Sequence, residues 1–468
     1  MATANQALTE RLQSHIEGAF QTFRASQSKT QTACKVWVGC SGGLDSVSLL
    51  HTCAQWAQSK QDVTLGIIHV NHQLHPDAIA WQKSVESLAQ HFNIECVSHV
   101  VDVIKAPRQS LEAMARDARY EAFSQTVISG DLLMLGQHRD DQLETLFLRL
   151  FRGSGPKGLA AMRTLSSRTV GNTTLTVARP FLQESRATLE HYATQHGLSW
   201  VQDDSNFDTR FDRNFIRQRV FPLLAQHWPE RWAGMQKAML RTTELCAEQE
   251  QALQFLLTDK LASVTHADGT VSKNGLLALP DEIQRAVLRL WLERADITLP
   301  SESVLQQILA LLSSASDAKG LVSWQQQEVR CHQDSLYALK SCFSPMQCDS
   351  VIKDEVKLRW QDTWGNAVDM CFSVQSERLN IRASDAMGNE FTHTFSSDPA
   401  AHWQLKSALS DELYAPAENR KARKLQVWFK EWKVAPWYRD SVLGLFKDGQ
   451  LHAVLVSAQR VETNNCKR

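Results

Sequence analysis

The sequence has almost no net charge: 50 Lys and Arg stand against 51 Asp and Glu over 468 residues, a balance of -1. Steering of a polyanion by the molecule as a whole does not follow, so any nucleic-acid contact must come from a local concentration of cations. No stretch approaches the roughly 18 apolar residues of a membrane span. The first twenty residues mix Glu, Arg, Gln and His with apolar ones and lack the apolar core of a secretory signal. A soluble, cytoplasmic protein is the expectation. The 10 cysteines include no CxxC pair and no histidine at zinc-finger spacing, so they read as reduced core or surface thiols. Internal repeats and low-complexity tracts are missing too, which leaves ordinary globular domains, two to four by length.

What is present first is a rhythm. From residue 35 to about 180, short apolar runs alternate with amphipathic stretches of helical length: VWVGC, then 45–57, LGIIHV, then 78–92, CVSHVVDV, then 111–128, and finally 132–137 with a helix over 140–150 behind it. The runs are continuous rather than alternating, as in strands covered on both faces. The spacing therefore predicts a doubly wound parallel α/β domain, Rossmann-like in class, over residues 1–226. Periodicity from 228 to 312 is mostly helical, with a two-stranded patch expected between 321 and 339. This predicts a mainly helical middle domain over 227–346 and a small α+β domain over 347–468, with one basic helix around 421–432.

Two familiar phosphate motifs are lacking, the Walker loop ending in Gly-Lys-Ser/Thr and the dinucleotide GxGxxG, which weighs against kinases, GTPases and dehydrogenases. In their place Ser41, Gly42, Gly43, Leu44, Asp45 and Ser46 follow the first strand and open a helix. Backbone N–H groups and the positive helix end then face the place of a phosphate or pyrophosphate. The glycines permit close approach, and the two serines add hydroxyl donors. Asp45, repelled by phosphate, makes most sense as a magnesium ligand bridging to it. The same residues also suit a plain Gly-rich turn with Asp and Ser caps.

Further clusters narrow the reading: HVNH at 69–72, LEAMARDARY at 111–120, GQHRDDQLET at 136–145, RGSGPKG at 152–158, DDSNFDTRFDRNFIRQRV at 203–220 and KARKLQVWFKEWKVAPWYRD at 421–440. SGGLDS resembles the PP-loop of the N-type ATP pyrophosphatases. With the other clusters in this order and spacing, the chain resembles the tRNA(Ile)-lysidine synthetases in their long, three-domain form, densely over 33–225 and again over 421–440. The resemblance implies an ATP-dependent ligase that joins free L-lysine to C2 of the wobble cytidine in the CAU anticodon of tRNA(Ile). The C2 oxygen attacks the α-phosphate of ATP, pyrophosphate leaves, the lysine ε-amine attacks C2, and AMP leaves. The resulting lysidine shifts decoding from AUG to AUA.

The resemblance also implies roles. Asp45, with Mg2+, and Arg116 would neutralise the pyrophosphate leaving group. Asp140, Asp141 and Glu144, near a strand end and on the first turns of a helix, would hold the ammonium of lysine, and His138 beside them would contact the adenylate or carry a proton. On spacing alone, Arg116 and Arg119 also suit a solvated helix face, and the acids suit a dipole-favoured first turn. Arg152 and Lys157, in a flexible Gly-rich loop, suit phosphate contact or closure over the cytidine. Asp203, Asp204, Asn206, Arg213, Asn214 and Arg217 would order the loop over the substrate or touch tRNA. Lys421, Arg423 and Lys424 would bind backbone phosphates, with Trp428, Trp432 and Trp437 either stacking on bases or forming a core face. The family often carries a His where Gln137 stands and an Arg where His75 stands, and its Arg-x-x-Gly-Asp turn is replaced by IRASDAMGN, so Gln137, His75 and Arg382 receive no role. A tRNA thiolation enzyme on the same scaffold would rely on paired cysteines, which are missing. A non-catalytic RNA-binding protein would have no need of Asp45 in an intact loop.

Overall fold

The apolar runs form one sheet in a computed structural model that describes residues 2–27, 34–103, 111–171, 173–313, 320–340, 347–353, 355–361, 367–375, 377–385, 389–398, 400–415, 421–458 and 460–464. Its strands are β1 (Cys34–Gly39), β2 (Val63–Asn71), β3 (Glu95–Val100), β4 (Leu132–Leu135), β5 (Leu165–Val170) and β6 (Thr173–Ala178). They lie in the order β3-β2-β1-β4-β6-β5, parallel throughout except for the β5–β6 pair. That edge hairpin carries no assignment in the sequence reading. Side chains alternate between two cores. Val36, Val38, Leu132 and Met134 join the core shared with α1 (Ala2–Ser26), α2 (Leu44–Ala57), α3 (Ala78–Phe92) and α7 (Arg186–Gln195). Trp37, Leu133 and Leu135 face the other way, onto Tyr120 and Phe123 of α4 (Leu111–Thr126). Burial on both faces is why these strands read as unbroken apolar runs.

The N-terminal residues, taken above only as lacking a signal core, form α1. Leu8, Leu12, Ile16, Ala19, Phe20 and Phe23 recur at helical spacing and are all buried. Because β2 lies on one side of β1 and β4 on the other, the chain's winding reverses between β1 and β4. A crevice opens there at their carboxyl ends, the position where doubly wound sheets bind ligands. Three more helical stretches frame it: α5 (Arg139–Phe151), the single turn α6 (Pro156–Leu159), and a run from α8 (Asp212–Phe215) through a π-turn at Ile216–Val220 into α9 (Phe221–His227). Pro222 has no N–H to give the preceding turn, and the ladder widens to π spacing just before it. A long helix, α10 (Trp232–Val264), follows.

The chain divides into two compact units, Met1–Ala252 and Leu253–Arg468. Within the second, the two-stranded patch expected at 321–339 is a four-stranded antiparallel sheet, because Val271–Ser272 adds to Leu321–Trp324, Gln327–His332 and Ser335–Lys340. It shares a core with the helices Asp281–Arg294 and Glu302–Leu312. The remainder is β-rich. A five-stranded and a four-stranded sheet meet around Trp360, Phe372 and Trp403. The basic helix expected at 421–432 is shorter, Leu425–Glu431, because Arg423–Lys424 pairs as a strand with Leu413–Tyr414. No helix among the described residues is long and apolar enough to cross a membrane.

Histidines line the α2–α7 contact. His51 Nδ1 lies 2.8 Å from Tyr192 Oη, and its ring centroid 4.8 Å from that of His196. Burial, reinforced by His196 and His91, pulls the His51 imidazole down to about 4. The unfolded chain, titrating near 6.5, takes up the proton first, so stability conferred here is intact above about pH 6.5 and is lost as pH falls toward 4. We predict that His51→Gln shows a smaller drop in melting temperature between about pH 6.5 and 4.5 than the native chain; an equal drop would place the acid sensitivity elsewhere.

Candidate active site at the strand-order reversal

The loop after β1 is held by its own polar groups. Ser46 Oγ donates to the Gly43 carbonyl at 2.9 Å and accepts from the Ser41 N–H at 3.2 Å, with Ser41 Oγ 3.2 Å away. Gly42 sits at φ +87°, and a side chain there would press on Val85 and Val201. Val201 closes the loop from outside, its N–H donating to the Gly42 carbonyl at 2.9 Å. Leu44 is buried and anchors the first turn of α2. The helix N-terminus thus points into the crevice with Asp45 on its first turn.

Gly136, immediately after β4, fixes the second wall. A Cβ there would lie 2.8 Å from the Asp45 carbonyl oxygen and 3.2 Å from the Ser46 nitrogen, so only glycine lets the two chains approach this closely. His138 then caps α5. Its Nδ1 lies 3.2 Å from the Asp140 N–H, and its own N–H donates to Asp141 Oδ2 at 3.1 Å, completing a reciprocal cap. His138 Nε2 lies 3.5 Å from both Asp45 Oδ2 and Asp141 Oδ2. Burial opposes charge on this fully enclosed ring, but the carboxylates of Asp141, Asp45 and Asp140 outweigh it and lift the imidazole to about 9. A cationic ring has no lone pair for the Asp140 N–H, so the 3.2 Å contact is a hydrogen bond of the neutral ring only, while the cationic ring has the Asp140 carboxylate 3.5 Å from Nδ1. Arg186 completes the group. Its backbone N–H donates to Asp140 Oδ2 at 2.8 Å, and its guanidinium stands 3.6 Å from Asp45 Oδ2. Asp45 Oδ1 is buried with no hydrogen-bond partner.

Glu144 departs from expectation. It does not offer an open carboxylate to a substrate ammonium, because it is fully enclosed and gripped by two arginines one turn apart on the α8–α9 run. Arg217 binds it through Nε at 2.6 Å and Nη2 at 3.1 Å, and the same Nη2 reaches Asp141 Oδ1 at 3.2 Å. Arg213 approaches Glu144 at 3.4 Å, donates to Thr145 Oγ1 at 3.1 Å and meets Glu112 of α4 at 3.5 Å. Burial raises the Glu144 carboxyl while Arg217 opposes the rise; Arg217 itself, despite burial, is held above its ordinary range by Glu144 and Asp141. The 2.6 Å contact and the bidentate geometry mark an ionised pair.

The crevice thus joins Asp45, His138, Asp140 and Asp141 directly, and ties Glu144, Arg213 and Arg217 to them. Arg116 stands apart from this group on α4, its Nη2 3.5 Å from Tyr120 Oη. Asn214 donates to the Asp208 carbonyl at 3.0 Å and so braces the loop rather than facing the crevice. Asp204 opens a 3-10 turn, Asp204–Phe207. RGSGPKG is more ordered than a free loop: Lys157 lies in α6, Arg152 caps α5, and Gln142 holds Met162 by paired bonds of 2.8 and 2.9 Å. Lys421, Arg423 and Lys424 are exposed in the second unit, with Lys424 2.7 Å from Asp411; residue 420 and residues 386–388 of the atypical turn lie outside the described residues. Trp428 is buried, with Nε1 donating to the Tyr414 carbonyl at 3.1 Å, and Trp432 and Trp437 pack, half-buried, on the same core. Gly136, Arg186 and Arg179 received no role from sequence; a glycine directly after a buried strand was the available signal for the first.

Fold and loop together define a PP-loop ATP-binding protein, and the PP-loop domain family matches residues 10–224. Two further families match, the TilS substrate binding domain over 272–337 and the TilS substrate C-terminal domain over 404–465. The tRNA(Ile)-lysidine synthase of Salmonella newport is 40% identical over 416 residues, covering 89% of this chain and 90% of that protein. That of Shigella flexneri is 36% identical over 422 residues, with 89% and 90% covered. The chain belongs to the tRNA(Ile)-lysidine synthase family.

Two stability tests follow. Gly136→Ala should cost about 1–3 kcal/mol through overpacking and raise KM for ATP, since the added methyl pushes the Asp45 backbone; an unchanged melt and KM would show the contact to be soft. Arg217→Ala should cost on the order of 3 kcal/mol by stranding a buried carboxylate, and adding Glu144→Gln should recover more than half of it. A double variant as unstable as the single one would mean that lost packing, not charge, dominates.

Proposed function

We propose that this chain ligates lysine to the wobble cytidine of CAU-anticodon tRNA(Ile) at the expense of ATP, releasing AMP and pyrophosphate. The carrying observation is the SGGLDS loop at the strand-order reversal, with Asp45 facing His138 and Asp141 across the crevice. Ser41, Ser46 and the amides of Gly42, Gly43 and Leu44, at the start of α2, take the pyrophosphate part of ATP in this reading.

The buried, unpartnered Asp45 Oδ1 fits a hard cation, and Asp45 is the residue that would hold Mg2+. Among the described residues no group of three His, Cys, Asp or Glu forms a ready cage, so the other oxygens would come from the nucleotide. The ion would supply charge neutralisation of the leaving pyrophosphate. Arg116 adds fixed positive charge on the α4 wall for the same group. Asp140 and Asp141, each partly open, take the lysine ammonium. Glu144 positions Arg217 against Asp141 without touching lysine. The amine must shed a proton before it attacks C2, and the His138–Asp141–Asp45 group is the polar path beside it. Arg152 and Lys157, on the α5–α6 turn, close on the anticodon loop. Residues 1–226 form the catalytic domain in this reading, while 227–346 and 347–468 engage tRNA, with Lys421, Arg423 and Lys424 on backbone phosphates. A tRNA substrate makes the cytoplasm its place of action.

The test is incubation of the full chain with unmodified CAU-anticodon tRNA(Ile), ATP and labelled lysine. Label should enter the tRNA with equimolar release of AMP; a folded, ATP-binding chain that transfers none would overturn the proposal. Asp45→Ala should abolish pyrophosphate release yet leave tRNA binding largely unchanged, and retained turnover would remove Asp45 from the metal role.

A further inference from the structure

Away from the acidic side of the crevice, α4 gathers cations. Tyr120 Oη lies 3.5 Å from Arg116 Nη2 and 3.3 Å from Arg179 Nη2, while Arg168 covers the Tyr120 ring at 4.0 Å. Arg179 follows β6 and is 5% exposed, yet its other partners are neutral: the Arg163 carbonyl at 3.1 Å and Ser166 Oγ at 2.9 Å. Its Nε is buried with no partner. Arg119, beside Tyr120 in sequence, directs Nε to His72 Nε2 at 3.5 Å, and the acid that acts on it, Glu112, is shared with Arg213 at 3.5 Å. A buried guanidinium held by neutral partners, as Arg179 is, is costly to keep, and anionic charge nearby lowers the cost.

We propose that Arg119, with His72 steadying its guanidinium, seats a backbone phosphate of the tRNA next to the cytidine being modified. This rests on the function proposed above. His72 follows β2, which lies on the far side of β1 from β4, so the seat is offset from the PP-loop, whose own amides and hydroxyls serve the nucleotide. The cations also form a row rather than a point. Arg119, Arg116, Arg179 and Arg168 run from the end of β2 along α4 to the β5–β6 edge, and the acids paired beside that row are Asp117, bound to Arg168 at 2.8 Å, and Glu112, bound to Arg213 at 3.5 Å. A row of charge suits a polymer of phosphates better than one triphosphate. Protonation agrees with the geometry. Burial, with Arg119 nearby, pulls His72 down to about 4, so the ring is neutral at pH 7 and its Nε2 lone pair can face Arg119.

The experiment uses the full chain, CAU-anticodon tRNA(Ile) transcript, ATP and labelled lysine, with tRNA affinity measured separately across a salt series. Arg119→Gln should raise KM and Kd for tRNA by about tenfold or more and flatten the slope of log affinity against log salt by about 1, with KM for ATP within about twofold. Arg119→Lys keeps the charge and should recover most of the affinity. Unchanged tRNA affinity and salt slope, or a rise in KM for ATP in place of the tRNA effect, overturns the seat. Should Arg119→Gln melt early, His72→Asn carries the same reading, expected as a smaller loss of tRNA affinity with ATP unaffected; no loss there overturns it. Absence of lysine transfer by the native chain would defeat the function instead, since tRNA affinity and its salt slope are read without turnover.

Discussion

The active crevice depends on one close approach: the end of β4 meets the first turn of α2 so tightly that position 136 has no room for a side chain. Parallel pairing of β1 with β4 brings the two strand ends level, Gly39 opposite Leu135. The next residues on each strand must then diverge around a ligand while their backbones still touch. Gly42 and Gly43 serve one side of that divergence and Gly136 the other. His138, two residues beyond the contact, arrives beside Asp45 as a consequence, and its backbone N–H holds Asp141 at 3.1 Å while its ring faces Asp140. The chemistry of the site is therefore set by backbone packing before any side-chain charge is considered.

Charge then organises what packing has placed. On the α5 side, acids outnumber bases near His138, which holds its proton well above the ordinary imidazole range. Arg213 and Arg217 offset the deeper acids by gripping Glu144, and both come from a helical run whose register is altered by a π-turn. On the α4 side the balance reverses, with arginines exceeding carboxylates around Tyr120. A nearly neutral chain can thus carry two opposed local fields a few side chains apart, one suited to an ammonium or a metal ion and the other to phosphate.

Much of the parallel sheet was legible because strands covered on both faces must be apolar at every position, and the PP-loop because it sits between such a strand and an amphipathic helix. The edge hairpin β5–β6 was not. Its residues, LSSRTV and TTLTVA, are half polar, since one edge of the sheet is only partly covered. Helix α1 was legible in principle from Leu8, Leu12, Ile16 and Phe20, but nothing local says that this stripe docks on α2 rather than standing alone. The acid triplet 140, 141 and 144 was visible as a cluster. That Glu144 is enclosed was not, because its partners lie about seventy residues downstream and sequence spacing carries no information on such a meeting.

Arg179 shows the same boundary most sharply. In the sequence it is one arginine before a proline, indistinguishable from a solvated surface cation. In the fold it follows β6, lies almost wholly out of water, and gives its two terminal nitrogens to a carbonyl, a serine and a tyrosine hydroxyl rather than an acid. Replacing those neutral partners with a carboxylate would stabilise the cation within the fold but would also cancel the field that α4 presents. A buried guanidinium held by neutral acceptors keeps its full charge available to a ligand, at a cost to folding that the surrounding core must offset.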